Sequence, residues 1–590
     1  MPFCVIPSDS EESSAWMLRF AQHDKTKSVI PNAVRNPVHG CFTSRVRIAN
    51  FTLLSLFLLK ERDVAERQGE VILYPSLLIA QLAIGFSVYL SIFCAHHSTS
   101  GMHFSLLDWL VVLIYIAGVT LFGIFKGGKQ TSAQDYFLSE EKISWWAVGI
   151  AIVATETSAL TFISVPGISY KGNFNFLQLA IGYFIGRVVV AYFFLPKYYA
   201  GELTTAYALM QSRFGLPLRR LTSLVFIFTR IFADGVRLYA TAIPLVVIFR
   251  GYHLFGHLSD TALYITGIVL IALVTLLYVQ LGGVRAVVWT DFIQLFVYLL
   301  GGVLAVFLLF RFISITEIKA SGKFAVLNFS FENFWSSPYQ FFLAVIGGAF
   351  LTMASHGTDY IIVQRLFTTP SLRHSQGALI FSGFIVFLQF ALFLFLGALL
   401  YGFYGELPLK GDEVFSKFIV EELPTGVSGL IVAGLLAAAM STLSGSISAI
   451  SSSTVFDLYA HTSHGKRATE SEKLALSKRI SLVWAAILTG SALLYIGLGK
   501  AVVEVALSIA SFTYGGLLGV FLLAMFFKRV SSLGAVVGFC VSVLVMIAII
   551  TQTKLAWTLY TLVGTSTSIV VALLVSSVVK QKSVSKETLS

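Results

Sequence analysis

Apolar stretches of 18 or more residues recur from Leu106 to the end of the chain, separated by short polar loops. Each is long enough to cross about 30 Å of hydrocarbon. The pattern predicts thirteen helices, over roughly 105–126, 143–168, 174–200, 220–250, 261–281, 284–312, 337–366, 374–403, 426–459, 473–497, 500–527, 531–551 and 555–579. Lipid offers no partners to backbone groups, so spanning segments are helices or closed barrels. A barrel would show segments of about ten alternating residues, and the sequence reads as long continuous apolar runs instead. The expected fold is an all-α membrane protein with about 13 core transmembrane helices, covering residues 102–580.

Residues 1–101 depart from that order. Met1 to Arg47 is polar, with scattered Pro, Ser and Asn and no helical period. It lacks the basic-then-apolar order of a signal peptide. Residues 71–94 are apolar enough for one additional helix. The orderly spans begin just after Met102, so the expectation is an over-called extension with Met102 as the natural start. The other reading is a genuine extension carrying one helix, and N-terminal sequencing separates the two. Residues 581–590 form a short polar tail.

Composition agrees with lipid. Hydrophobic residues make up 56% and charged ones 12% of 590 residues, with a mean hydropathy of +0.82. A soluble surface needs more charge than that. The net charge of +11 does not point to nucleic acid, because the basic residues sit in short loops between spans. Loops with Lys126, Lys129 and Lys142, with Arg213, Arg219 and Arg220, and with Lys466, Arg467, Lys473, Lys478 and Arg479 lie on one side. The richer side is expected to be cytoplasmic, which puts the C-terminus inside and Met102 outside. The four cysteines are scattered, so no disulfide frame or metal cluster is expected.

Candidate chemistry lies where helices are interrupted. The second span reads Ala154-Thr155-Glu156-Thr157-Ser158-Ala159-Leu160-Thr161, with Pro166-Gly167 expected to end it. A carboxylate inside a membrane usually marks an ion path. The structural alternative pairs Glu156 with Arg187, Arg230 or Arg237. The ninth span carries Ser441, Thr442, Ser444 and Ser448, a polar stripe on one face. Such small residues serve close helix packing or supply neutral oxygens to a hard monovalent cation, and periodicity leaves both open. Asp291, after Gly282-Gly283-Val284-Arg285, is an exit-path ligand or a partner of Arg285. In the seventh span Gly357 marks a break, and Asp359 and Tyr360 face a cavity or lie at the membrane surface.

Three segments resemble the sodium:solute symporter family: GGVRAVVWTDFIQ (Gly282–Gln294), AAAMSTLSGSISAISSSTVFDLY (Ala437–Tyr459), and Asp135-Tyr136-Phe137-Leu138 followed by Trp145-Trp146. The resemblance covers about 102–580. It implies a LeuT-like inverted five-helix repeat, with 143–168 and 337–366 broken at the centre. It implies a sodium site on backbone carbonyls of Ala154, Thr157 and Ala438 and hydroxyls of Ser441 and Thr442. A second cation position in some members corresponds to Ser444 and Asp291, but Gly445 lacks the second hydroxyl, which favours one sodium per cycle. Glu156 and Ser158 with the Ser-Thr pair are nearer the proline-type branch than the sugar branch. Glu156, Ser158, Thr161, Phe162, Asp359 and Tyr360 are expected around the solute.

The implied function is sodium-coupled symport of a small organic solute by alternating access, in a bacterial inner membrane. Sodium is the coupling ion, and neither an organic cofactor nor a catalytic constellation is expected. The expected partners are the solute and the bilayer, with no nucleic acid, and the chain acts as a monomer or weak oligomer. One rival is proton coupling through Glu156. The other is a solute sensor, which the short tail disfavours.

Overall fold

The computed structural model describes residues 104–127, 132, 136, 142–200, 207–250, 258–310, 312–313, 315–497 and 502–579. The stretch 1–101 with its expected helix at 71–94, and the tail 581–590, lie outside these residues. Among the described residues there are helices and no strands. Within the described residues nine helices are long and apolar enough to cross a membrane, and eleven spans result if each of two bent pairs is one crossing.

The chain order is α1 (Leu106–Gly127), α2 (Trp145–Glu156), α3 (Ala159–Lys171), α4 (Leu177–Val189), α5 (Leu195–Tyr199), α6 (Ala208–Phe214), α7 (Leu216–Arg250), α8 (Asp260–Leu309) and α9 (Ile315–Ala320). It continues with α10 (Phe341–Gly357), α11 (Tyr360–Leu366), α12 (Leu372–Tyr404), α13 (Gly411–Glu421) and α14 (Val427–Ser453). The last four are α15 (Glu470–Leu493), α16 (Val502–Phe526), α17 (Ser532–Gln552) and α18 (Tyr560–Val578).

The expected helices at 261–281 and 284–312 are one uninterrupted helical run, α8. Its apolar stretches Asp260–Leu276 and Ala286–Leu309 flank Gly282-Gly283. The diglycine leaves the helical hydrogen-bond pattern intact, so the expected loop is missing. Asp260–Leu276 is shorter than the other crossings. α15 carries Glu470, Glu472 and Lys473 in its first turn and Lys478 and Arg479 beyond it, and its apolar part falls short of the eleven.

Pro166-Gly167 does not end the second span. Both lie inside α3, which continues to Lys171. Packing outweighs the hydrogen bond that proline forfeits: Ser169 Oγ donates to Leu394 O at 2.6 Å, and a Cβ on Gly167 would stand 2.6 Å from the backbone of Gly411.

The two bends occupy equivalent places. Between α2 and α3 the chain turns by 62°, and it turns by 62° again between α10 and α11. The second bend falls five expected spans after the first, the spacing of a five-helix repeat. At each bend short polar residues cap the second half. Ser158 takes extended backbone (φ −123°, ψ 173°) and accepts from Leu160 N–H. Asp359 (φ −78°, ψ 121°) accepts from Ile361 N–H.

Close packing fixes these bent helices against their neighbours. Gly348 of α10 lies against α4, where a Cβ would stand 2.6 Å from the carbonyl oxygen of Leu179. Gly348→Ala is expected to cost about 1–3 kcal/mol by overpacking, read as a lower melting temperature of the purified protein. Elsewhere in the bundle, α1 grips α14. The Asp108 carboxylate accepts from Gly426 N–H at 2.6 Å and Gly429 N–H at 2.8 Å, satisfying donors that the first turn of a helix leaves open.

Candidate functional site

At the first bend, the helical pattern stops because Thr157 (φ −68°, ψ 115°) and Ser158 leave helical dihedrals. The carbonyl of Thr157 then faces α14. Thr442 Oγ1 lies 3.4 Å from Thr157 O and 3.1 Å from Ala438 O. Thr157, Ala438 and Thr442 therefore meet in one place, and Ala154, like them, is buried. All the oxygens involved are neutral, which suits a monovalent cation that must be released again. Ser441 Oγ turns elsewhere and donates to Asp291 Oδ1 at 2.7 Å. Ser444 Oγ donates back to Ser441 O at 3.0 Å.

Asp291 is fully buried. Its second oxygen accepts from Arg365 Nη2 at 2.9 Å and lies 3.5 Å from Thr155 Oγ1. The side chain of Arg285, its expected partner, lies outside the described residues.

A cavity opens beside the bend. Thr155, Glu156, Ser158 and Thr161 line one wall, and Tyr183, Arg230, Arg237, His356 and Tyr514 line others. A smaller cavity adjoins Thr442 and is lined also by Ser158, Asp234 and Arg237. Ser158 and Arg237 thus border both spaces.

Glu156 reaches the cavity wall, yet its carboxylate is bound by Arg187 and stands 3.4 Å from His356 Nε2. Arg187 also places Nη2 3.0 Å from His356 Nε2. Since guanidinium only donates, that nitrogen accepts and Nδ1 carries the hydrogen toward Ser355 Oγ at 2.8 Å. Of the pairings open in the sequence, Arg187 is the one formed. Arg237 pairs with Asp234 at 3.2 Å, and its Nε has no partner among the described residues.

Three expected solute contacts stand behind the cavity wall. Phe162 is fully buried in an aromatic cluster with Tyr298, Phe393 and Phe415, at centroid distances of 5.1, 5.3 and 5.1 Å. An apolar ring at mid-span gains more from that cluster than from a wetted cavity. Asp359 is held by Arg230 and by the hydroxyl of Tyr514, because a buried carboxylate needs counter-charge and donors. Tyr360 OH accepts from Ser452 Oγ at 3.2 Å. These are supports of the bend rather than cavity walls.

Sequence reading missed several groups. Gln389 accepts from Thr157 Oγ1 at 2.8 Å and donates to Tyr298 OH at 3.0 Å, tying the bend to α12. Tyr183 and Tyr514 carried no polar pattern to flag them. Arg230 and Arg237 did carry a signal: they stand seven residues apart, on one helix face, and both are charges inside a span.

Two bent apolar helices, a cluster of neutral oxygens at one bend and a polar cavity beside it define a secondary transporter. The chain belongs to the sodium:solute symporter family, whose model matches residues 136–542, and its function is sodium-coupled solute symport. It is 28% identical to the sodium/sialic acid symporter SiaT of Proteus mirabilis (strain HI4320) over 488 residues, 80% of this chain and 94% of that protein. It is 29% identical to the sodium-coupled monocarboxylate transporter 1 of Mus musculus over 447 residues, 72% and 70% of the two chains. The solved structure of a Na⁺-coupled sialic acid symporter, substrate-bound and outward-open, superposes with a TM-score of 0.71 at 26% identity, covering 81% of this chain and 98% of that one.

Proposed function

We propose that this transporter imports a small organic carboxylate together with sodium, by alternating access, across a bacterial inner membrane with its C-terminus on the cytoplasmic side. The reading is supported chiefly by Ser158 and Arg237, which border both the solute cavity and the space at Thr442. Relatives named for sialic acid and for monocarboxylates favour an acidic solute.

Sodium is assigned to the oxygens of Ala154, Thr157, Ala438 and Thr442, with Ser441 beside them. Binding there ties the unwound segment to α14, fixes Ser158, and so orders the wall that the solute meets. By linkage the solute then strengthens sodium binding by the same factor. Membrane potential adds about 2.3 kcal/mol per charge per 100 mV to the inward step. Arg237 is assigned to the carboxylate of the solute, through the edge that Asp234 leaves open. Glu156, Ser158 and Thr161 shape the rest of the pocket. The Arg187 pairing of Glu156 favours sodium over proton coupling, because the carboxylate is already neutralised by a fixed charge.

Proteoliposome uptake under an inward sodium gradient tests this. N-acetylneuraminate and short monocarboxylates should accumulate with sodium and stay at background with choline at the same pH. Arg237→Ala should raise the solute KM by about 10- to 100-fold, from loss of a charge-assisted hydrogen bond of about 1.5–3 kcal/mol. Accumulation that follows a proton gradient in sodium-free buffer would replace this reading with proton coupling.

A further inference from the structure

Thr157 is tied down at two polar groups. Its carbonyl faces Thr442 Oγ1 at 3.4 Å, and its hydroxyl donates to Gln389 Oε1 on α12 at 2.8 Å. A carbonyl at the end of a helix has no intrahelical partner to aim it, so the anchored side chain limits where it can turn. The amide of Gln389 reaches further. Its Nε2 donates to Tyr298 OH on α8 at 3.0 Å, and the Tyr298 side chain is hydrogen-bonded in turn to that of Thr161. Thr161 lines the solute cavity. Thr157 and Thr161 stand on the two sides of the break, four residues apart. A line of side chains therefore runs from Thr157 through Gln389 and Tyr298 to Thr161, bridging the break from outside its backbone.

Two conditions stiffen this line. Gln389 is 3% exposed and Tyr298 fully buried, and hydrogen bonds away from water are strong and costly to leave unmade. The Tyr298 ring also has a fixed seat, 5.1 Å from Phe162 and 5.1 Å from Phe393 between centroids. Its backbone abuts α14, where a Cβ on Gly434 would stand 3.1 Å from Tyr298 Cα. A rigid relay passes on a displacement that a loose one would absorb.

We propose that Gln389 and Tyr298 are the positioning residues through which sodium at Thr157 raises the affinity for solute at Thr161. The inference rests on the sodium-coupled reading above and deepens it. An ion that draws in the Thr157 carbonyl moves the hydroxyl of the same residue. Gln389 carries that shift to Tyr298, and Tyr298 sets the Thr161 hydroxyl that meets the solute. The competing route runs only along the backbone through Ser158 and needs neither residue.

The test is the coupling factor: the sodium dissociation constant of the purified full-length protein without solute, divided by that with saturating solute. It is read by ²²Na⁺ binding, with N-acetylneuraminate or lactate as solute, whichever the wild type binds. The wild type should show at least about tenfold coupling. Tyr298→Phe removes one hydroxyl and keeps the ring. Its sodium affinity without solute should stay within about twofold of wild type while the factor falls below about three. Gln389→Leu breaks both bonds, so it should weaken sodium by about 3- to 10-fold and also lose the factor. Phe393→Leu loosens the aromatic seat and leaves the relay intact, so it should lower the melting temperature and keep the wild-type factor. Wild-type coupling in either Tyr298→Phe or Gln389→Leu overturns the proposal, and so does an equal loss of coupling in Phe393→Leu. A wild type that binds sodium and neither acid sinks the carboxylate reading and this proposal with it, a result distinct from the others.

Discussion

Thr442→Ala should raise the sodium concentration for half-maximal uptake by about 10- to 100-fold while leaving the protein folded. Thr442 Oγ1 reaches both the Thr157 carbonyl at the bend and the Ala438 carbonyl on α14. Losing one strong oxygen contact to a charged species costs about 1.5–3 kcal/mol, which sets that range. Thr442→Ser keeps the oxygen and should stay within about threefold of wild type, a difference well under the 1.4 kcal/mol of a tenfold change. Ser441→Ala should have the smaller effect of the two alanine changes, since its hydroxyl is committed to Asp291. Sodium titrations of uptake and of thermal stabilisation both read these shifts. An unchanged sodium dependence in Thr442→Ala removes the site from the bend.

Arg187→Ala should cost about 3–5 kcal/mol of stability, the typical penalty for orphaning a buried charge. Arg187 is fully buried and holds Glu156 at the end of α2. Its removal leaves Glu156 facing His356 Nε2 at 3.4 Å, a neutral ring nitrogen that supplies no counter-charge. Poor expression or a strongly lowered melting temperature is the expected readout. The double change Glu156→Gln with Arg187→Met removes both charges and should recover most of that loss, because buried pairs contribute little once neither partner is left alone. Recovered folding with abolished uptake would assign the pair a role in transport beyond holding the bend. Full recovery of both would leave it structural.

Much of this arrangement was legible in the chain. Long apolar runs dictate helices, and the Thr-Glu-Thr-Ser break in α2 and Asp359 after Gly357 announce themselves as polar residues in apolar segments. Small hydroxyl residues on α14 share a face by helical geometry, and the family resemblance implied that Thr442 lies beside the break. What depended on tertiary contact was not legible. No spacing rule tells Arg187 from Arg230 or Arg237 as the partner of Glu156, since all three lie on distant helices. Likewise Phe162 and Tyr360 read as wall residues along the sequence, but the depth of a ring in the bundle is decided by Tyr298, Phe393 and Ser452 on other helices. Pro166 misled because its local preference to end a helix yields to packing against Leu394 and Gly411. The diglycine in α8 misled in the same sense, since glycine permits a turn without requiring one.

The grip of Asp108 on Gly426 and Gly429 fixes a pivot at the start of α14. Thr442 lies 15 residues beyond Val427, where the helix begins, or about 22 Å along an axis rising 1.5 Å per residue. Tilting α14 by about 10° about that pivot would carry the hydroxyl sideways by roughly 4 Å, more than the reach of an oxygen contact of about 3 Å. A modest pivot from a fixed anchor would be enough to open the proposed sodium position at Thr442, with no unwinding of α14 itself.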